Sequence, residues 1–232
     1  MEAFGLDELA LVRNGIANGL RADLRKNGEA RRTNVVHTDI AQSDGSIKIR
    51  RGLSEIEVSV QFKETAETLE ASGILKENFD GNEFSAESIE FSKIAIPNTI
   101  SSIILDLLAP YKIGIRIEFS ILSNDGNIFD LFFISLGALL ENLDIPIVGN
   151  LKETEKQKIS IPTSKTVALF DNGHFVMDPT RIEEEASCGL IHIFSNNEGI
   201  LMGCFCEGIC NFEEKTLSSI IQEIISKTYL IR

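Results

Sequence analysis

The sequence predicts an α+β layered protein with two pseudo-similar lobes in one compact domain, and three observations carry that prediction. Strand-like segments cluster and are then closed by a helix, twice along the chain, where a doubly wound parallel sheet would alternate strand and helix one for one. The clearest strand sets Ile56, Val58, Val60 and Phe62 on one face and Glu55, Glu57, Ser59 and Gln61 on the other, so it has one dry side and one wet side. The stretch Gly149 to Lys158 is charged, carries no apolar periodicity, and separates the two clusters. The expected organisation is an N-terminal helix over 1–28, a first lobe over 29–148, a charged linker over 149–162 and a second lobe with a C-terminal helix over 163–232. At 232 residues such a chain buries a core without disulfide or metal staples.

Leu9, Val12, Ile16, Leu20 and Leu24 recur every three or four residues, which predicts an amphipathic helix from Asp7 to Arg25 ended by Asn27-Gly28. Gly15 and Gly19, one turn apart, would let another element approach closely. Strands follow, the best at Glu55 to Phe62; Lys63 to Asn82 reads as an exposed loop and Ser85 to Ile96 as a short helix stopped by Pro97. Ile113, Ile115, Ile117, Phe119 and Ile121 alternate with polar residues in a further strand, which turns through Ser123 to Asn127 into an apolar helix from Ile128 to Leu143. Strands at Thr166 to Phe170 and His174 to Met177 are joined through Asp171-Asn172-Gly173, and a second pair at Leu190 to Phe194 and Ile200 to Glu207 turns at Asn196 to Gly199. The last helix has Asn211 as N-cap, Glu214 as its capping-box partner, and Leu217, Ile220, Ile221, Ile224 and Ile225 as the buried stripe.

A formal charge of -13 disfavours free-standing nucleic-acid binding, which draws its affinity from phosphate neutralisation. The charge is uneven: from Arg13 to Arg51 nine Lys/Arg face four acids, so that segment is either an RNA contact or a solvated basic face. Arg50, Arg51 and Lys63 are the candidate RNA contacts, with ordinary solvent-facing charge or contacts to a neighbouring acidic subunit as the alternative. The longest apolar run, Leu131 to Leu140, is too short to cross a bilayer and reads as a buried helix, so no membrane partner is expected. Met1-Glu2-Ala3-Phe4 lacks a basic-then-apolar pattern, which predicts a reducing compartment and cysteines used as small core hydrophobes.

Three segments resemble the RNase PH-type subunits of the eukaryotic RNA exosome. They are Leu24-Arg25-Lys26-Asn27-Gly28-Glu29 up to Arg32, the run Ile117 to Asp130 followed by Gly137-Ala138-Leu139-Leu140 and Ile145-Pro146, and Val176 to Glu185. The likeness extends from Leu9 to Thr228 in the family's order, although Asn27 and Glu29 depart from the family's Asp-Gly-Arg turn. Asp125-Gly126-Asn127 and Asp178-Pro179-Thr180 are most similar to the branch called ribosomal RNA-processing protein forty-two, and its paralogues fit the same frame. The resemblance implies an RNase PH-like fold (ribosomal protein S5 domain 2-like) and a six-membered ring with other RNase PH-type subunits. It also implies S1/KH-type cap subunits, a hydrolytic exonuclease and RNA in the central channel as partners, with nucleolar, nuclear and cytoplasmic residence. The implied role is a structural subunit supporting rRNA maturation and mRNA turnover; the alternative is an active phosphorolytic 3′-5′ exoribonuclease, alone or through a site shared with a neighbour.

Phosphorolysis needs cationic and N–H donors gathered around a phosphate dianion. Active relatives place a Gly-Gly-Thr-Arg-Thr run after the Asp; here Asp125 is followed by Gly126, Asn127, Ile128, Phe129 and Asp130, with Phe where the Arg would stand and a carboxylate added. A carboxylate about 4 Å from phosphate would be repelled by roughly 1 to 4 kcal/mol. The acid that active members carry further along aligns with Leu190, which exchanges no proton. These changes predict a degenerate phosphate site and no catalytic residue. Asp178, Glu183 and Glu184 remain as an acidic group, read either as a Mg²⁺ or acid–base pair or as a turn at Asp178 with solvated glutamates. Cys204, Cys206 and Cys210 lack the spacing of a structural zinc site even with Cys188 or His192 added, and His37, His174 and His192 stand near no nucleophile, so neither metal nor cofactor is expected.

Overall fold

A computed structural model describes residues 4–63, 69–75, 87–90, 114–146, 154–155, 161–196, 198–208 and 214–228. It divides into two compact units that are discontinuous in sequence: 1–32, 124–130 and 162–232 form one, and 33–123 with 131–161 the other. The N-terminal segment therefore belongs with the C-terminal lobe instead of standing apart, because its partners lie there and not next in the chain.

In the second unit, β1 (Thr33–Thr38), β2 (Gly45–Arg51), β3 (Ser54–Lys63), β4 (Leu69–Leu75), β5 (Glu87–Glu90) and β6 (Gly114–Ser123) form a six-stranded sheet ordered β1-β2-β3-β6-β4-β5. All pairs are antiparallel except β4 with β6. The alternation read at Glu55 to Phe62 holds: Ile56, Val58 and Val60 are buried, opposite Ile121, Phe119 and Ile117 of β6. The apolar helix α2 (Ile128–Leu140) supplies Leu131, Phe132, Phe133, Leu136, Leu139 and Leu140 to the core, and Phe132 meets Phe119 edge to face at 5.6 Å. Two expectations fail here. Lys63 to Asn82 contains strand β4 in the sheet interior, and Ser85 to Ile96 contains strand β5; residues 64–68, 76–82, 85–86 and 91–96 lie outside the described ones. The local signal is weak in both segments, and pairing of β4 along β6 and of β5 along β4 overrode it. Within 149–158 only Thr154–Glu155 is described, as the short strand β8 paired with β7 (Ile145–Pro146).

The first unit is a sheet ordered β10-β9-β11-β12, from β9 (Thr163–Leu169), β10 (Phe175–Met177), β11 (Gly189–Ser195) and β12 (Leu201–Gly208). One face presents Val167, Leu169, Ile191 and Ile193 to Ile220 and Ile224 of α4 (Glu214–Thr228), with Leu217, Ile221 and Ile225 beside them, as the C-terminal stripe predicts. Asn211 lies outside the described residues. The other face carries Ala168, Phe170 and Val176, covered by Leu9, Val12 and Ile16 of α1 (Leu6–Ala17) and by Ala186 of the single-turn α3 (Arg181–Ala186).

Helix α1 stops eight residues short of the expected Arg25 because the chain reverses. Gly19 takes a left-handed φ of +72°, and the Leu20 amide donates to the Gly15 carbonyl at 2.8 Å. A Cβ on Gly15 would lie 2.9 Å from the carbonyl oxygen of Leu20, so the glycine is required where the turn folds back. Leu20 and Leu24 are consequently exposed instead of continuing the buried stripe. What goes inward is Arg21.

Candidate functional site

Parts of the three segments singled out by resemblance, residues 24–32, 124–130 and 176–185, meet in the first unit, where several side chains are positioned by unusual pieces of backbone. Gly126 has φ +84°, and a Cβ there would lie 2.5 Å from the Thr180 carbonyl carbon and 2.8 Å from the Pro179 oxygen. Only glycine lets the Asp125 carbonyl accept from the Arg181 amide at 3.1 Å. Asn127 follows in the left-handed region, and its Oδ1 accepts from the Asp130 amide, capping α2. Asp178 is also left-handed, at φ +48°, and its amide donates to the Thr166 carbonyl. Two non-glycine residues in that region within one cluster imply that their side chains hold them there.

Asp178 is the hub. Its Oδ1 accepts from Arg31 Nη2 at 2.9 Å and Asn127 Nδ2 at 2.7 Å, and its Oδ2 accepts from the Arg31 amide, Arg31 Nε and Arg25 Nη1 at 2.7, 3.0 and 3.2 Å. Arg21 grips Glu183 with two parallel bonds, Nε to Oε1 at 2.8 Å and Nη2 to Oε2 at 2.6 Å, and also donates to the Met177 and Asp178 carbonyls. Glu183 is 1% exposed and accepts as well from the Thr180 amide at the start of α3. Glu184 accepts from the Asn127 amide at 2.6 Å. Burial pushes its carboxyl up to about 7, against the Asn127 bond and the Arg31 charge that hold it down.

The acidic group is thus neither a solvated pair nor an open metal seat. Glu183 is buried and Glu184 half-buried; the arginines of the basic N-terminal segment occupy the oxygens of Glu183 and Asp178, while Glu184 accepts from the Asn127 amide. Among the described residues no cluster of three or more His, Cys, Asp or Glu has the geometry of a metal site.

Asp130 requires a second correction. The sequence placed it beside a vanished phosphate as a repelling anion, but the side chain turns inward and is 3% exposed. Oδ1 accepts from Ser164 Oγ at 2.6 Å and Thr166 Oγ1 at 2.8 Å, and Oδ2 from the Thr166 amide at 2.8 Å and Asn127 Nδ2 at 2.9 Å. Asp130 is a brace between the start of α2 and strand β9. Phe129, where active relatives place Arg, packs into a ring cluster with centroids 4.6 Å from His192, 5.5 Å from Phe205 and 5.6 Å from Phe194. Leu190 packs with the apolar cluster under α1.

His192 extends the same network. Thr166 Oγ1 donates its O–H hydrogen bond to the Asp130 carboxylate, which leaves its oxygen to accept from His192 Nδ1–H at 2.8 Å in the tautomer with Nε2 unprotonated. Nε2 is buried without a hydrogen bond, 3.6 Å from Glu207 Oε1, and the ring stacks on Phe205 at 4.4 Å. Burial pulls the imidazole down to about 4, against the attraction of Asp130.

The RNA-contact candidates lie in the other unit and do not form one patch. Arg50 is exposed with Nε on the Gly52 carbonyl, and Arg51 Nε donates to Thr33 Oγ1 at 2.9 Å. Lys63 ends β3, about 30 Å of strand away from Ser54, which pairs with Arg51; its side chain lies outside the described ones. Cys204 and Cys206 are exposed on the outer strand β12 instead of buried in a strand core. Cys210 lies outside the described residues. Sequence reasoning missed Arg21, Arg25 and Arg31 as carboxylate partners and Ser164, Thr166 and His192 as the inner layer. Three arginines around one Asn-Gly turn were the available signal, but nothing local pairs them with acids some 150 residues later.

The chain matches no protein-family model. It is 23% identical over 236 residues to "Exosome complex component Rrp42" of Methanocella arvoryzae, covering 92% of this chain and 90% of that one. Among solved structures it is similar to the Archaeoglobus fulgidus exosome with RNA bound to the active site, with a TM-score of 0.77 at 17% identity over 97% of this chain and 96% of that one. An archaeal exosome core gives a TM-score of 0.74 at 15% identity over 97% and 94%, and rice (Oryza sativa) Rrp46 gives 0.64 at 14% over 91% and 95%. The α+β fold expected from the sequence is the fold of the exosome core subunits.

Proposed function

We infer that this chain, an RNase PH-type homologue built on the exosome-core fold, is a non-catalytic structural subunit of an exosome core ring. The likeness over nearly the full length of a curated Rrp42 supports the ring role. The reading of catalytic silence rests on one observation: Asp178, Glu183 and Asp130 are saturated by Arg21, Arg25, Arg31, Asn127, Ser164 and Thr166 of the same chain. A phosphorolytic site must hold a phosphate dianion with cations whose charge is open toward it. Here the guanidinium groups face inward onto carboxylates, and Phe129 contributes a ring to an aromatic cluster.

Its neighbours in this reading are other RNase PH-type subunits in a six-membered ring, with S1/KH-type cap subunits and a hydrolytic exonuclease completing the machine and RNA passing through the channel. The ring then serves rRNA maturation and mRNA turnover by holding shape, and its nucleolar, nuclear and cytoplasmic residence is tested by imaging the tagged protein. The decisive assay incubates RNA and inorganic phosphate with the assembled complex and measures nucleoside diphosphate release. No release that depends on this subunit is expected; release abolished by Asp178→Asn in an intact complex would make the subunit an enzyme.

A further inference from the structure

We propose that Asn27-Gly28 is a modification site, at which the folded chain converts Asn27 spontaneously to aspartate and isoaspartate through a cyclic imide. The inference is independent of the ring reading. The chain holds four Asn-Gly pairs, at 14–15, 18–19, 27–28 and 172–173. Asparagine is thermolabile, and a following glycine leaves the attacking amide without a shielding side chain. The sequence therefore offers every pair, and the fold selects among them.

At the first two pairs the reacting groups are held. Gly15 lies inside α1, with its amide committed to the helical ladder. The Gly19 amide donates to the Ile16 carbonyl at 2.9 Å, and Asn18 Nδ2 donates to the Asn14 carbonyl at 2.7 Å. At Asn27-Gly28 neither group is held. Among the described residues the exposed Gly28 amide donates to no acceptor, and the Asn27 side chain makes no hydrogen bond, its Oδ1 being buried without a donor. The side chain of Asn172 lies outside the described ones, so the comparison is among the other three pairs.

The turn around the free groups is fixed. The Glu29 amide donates to the Lys26 carbonyl at 3.0 Å, Arg21 Nη1 reaches the Lys26 and Glu29 carbonyls at 3.4 and 3.3 Å, and Arg25 Nη1 reaches the Glu29 carbonyl at 2.8 Å. Pinned ends with unengaged reactants favour the close approach that ring closure needs. The Met177 amide donates to the Asn27 carbonyl at 2.7 Å. That bond draws electron density from the peptide group to which the Gly28 nitrogen belongs, and so acidifies its N–H.

Hydroxide removes the Gly28 amide proton, the nitrogen attacks Asn27 Cγ to form an N–Cγ bond, and the Cγ–Nδ2 bond breaks as ammonia leaves with a proton from water. Water then opens the imide. Cleavage of the new N–Cγ bond leaves aspartate, and cleavage of the bond between the Gly28 nitrogen and the Asn27 carbonyl carbon leaves isoaspartate. Water is consumed, ammonia is released, and nothing is oxidised or reduced. Isoaspartate routes the main chain through Cβ and Cγ, which lengthens a turn held at both ends and turns the acceptor for the Met177 amide into a free carboxylate.

The test keeps the full wild-type chain at mildly alkaline pH, folded and in urea, and follows each site by peptide mass spectrometry over days. In the folded chain Asn27 should react at least about tenfold faster than Asn14 and Asn18, the equivalent of one hydrogen bond that must first open at those sites, and the three rates should converge in urea. Equal rates in the folded chain would overturn the proposal, and so would an Asn27 that reacts in urea but stays intact when folded. Gly28→Ala, which shields the attacking amide, should slow position 27 alone; an unchanged rate there would exclude the cyclic route. The fraction carrying isoaspartate should unfold at a lower urea concentration than fresh protein, and an equal midpoint would refute the stated consequence for the turn.

Discussion

At Asp130 one substitution separates an inward brace from an anion facing solvent. Asp130→Asn replaces an acceptor-only group by one with two N–H donors, in a place where Ser164 Oγ, Thr166 Oγ1, the Thr166 amide and Asn127 Nδ2 all donate. The expected loss is about 2 to 4 kcal/mol in urea unfolding; an unchanged or raised midpoint would return the residue to the surface. Arg21→Met leaves Glu183 buried and unpaired and should cost about 3 to 5 kcal/mol, whereas Arg21→Met with Glu183→Leu should recover much of that loss. Two groups give the pH dependence, with opposite signs. Glu184 titrates near 7 when folded and at 4.5 otherwise, so the folded state holds the extra proton between those values and stability falls as pH rises through them. His192 titrates near 4 when folded and at 6.5 otherwise, so the unfolded state takes the proton and stability is lost as pH falls from 6.5 to 4. Urea midpoints from pH 4 to 8 should show the first limb vanish in Glu184→Gln and the second in His192→Phe.

Among the elements, the turn from Asp125 to the start of α2 depends on Gly126. Gly126→Ala combines a left-handed φ with a Cβ 2.5 Å from the Thr180 carbonyl carbon, and should cost about 2 to 4 kcal/mol by thermal or urea unfolding. Strongly periodic elements were legible from sequence: β3, β6, α2 and α4 lie where alternation or a helical stripe put them, because each buries one face and the period records which. Segments β4 and β5 were illegible, since β4 takes its pairing from β6 and β5, at the sheet edge, takes its pairing from β4, and neither pairing is marked in the local sequence. Helix α1 was read too long because Leu20 and Leu24 continue its stripe, while the reversal at Gly19 depends on Arg21 reaching Glu183.

For the whole molecule, the basic segment and the net charge now have a common reading. Arg21, Arg25 and Arg31 are held by carboxylates of the same chain, so fewer cations remain to release counterions from RNA than the count from Arg13 to Arg51 suggests. Fluorescence anisotropy should find the isolated chain binding single-stranded RNA no more tightly than about 10 μM near physiological salt, with a shallow salt slope. Submicromolar affinity with a steep slope would restore the basic segment as an RNA surface.

The sequence by itself determined the layered α+β class, the periodic strands and helices, and the positions where family motifs stand, because periodicity and motif order are written in neighbouring residues. Tertiary structure alone decided that Asp130 points inward, that Asp178 and Glu183 are paired with arginines about 150 residues away, and that Cys204 and Cys206 are left open at an edge. The reason is physical: whether a carboxylate is a ligand site or a brace depends on which donors reach its oxygens, and those donors arrive from segments the local sequence does not contain.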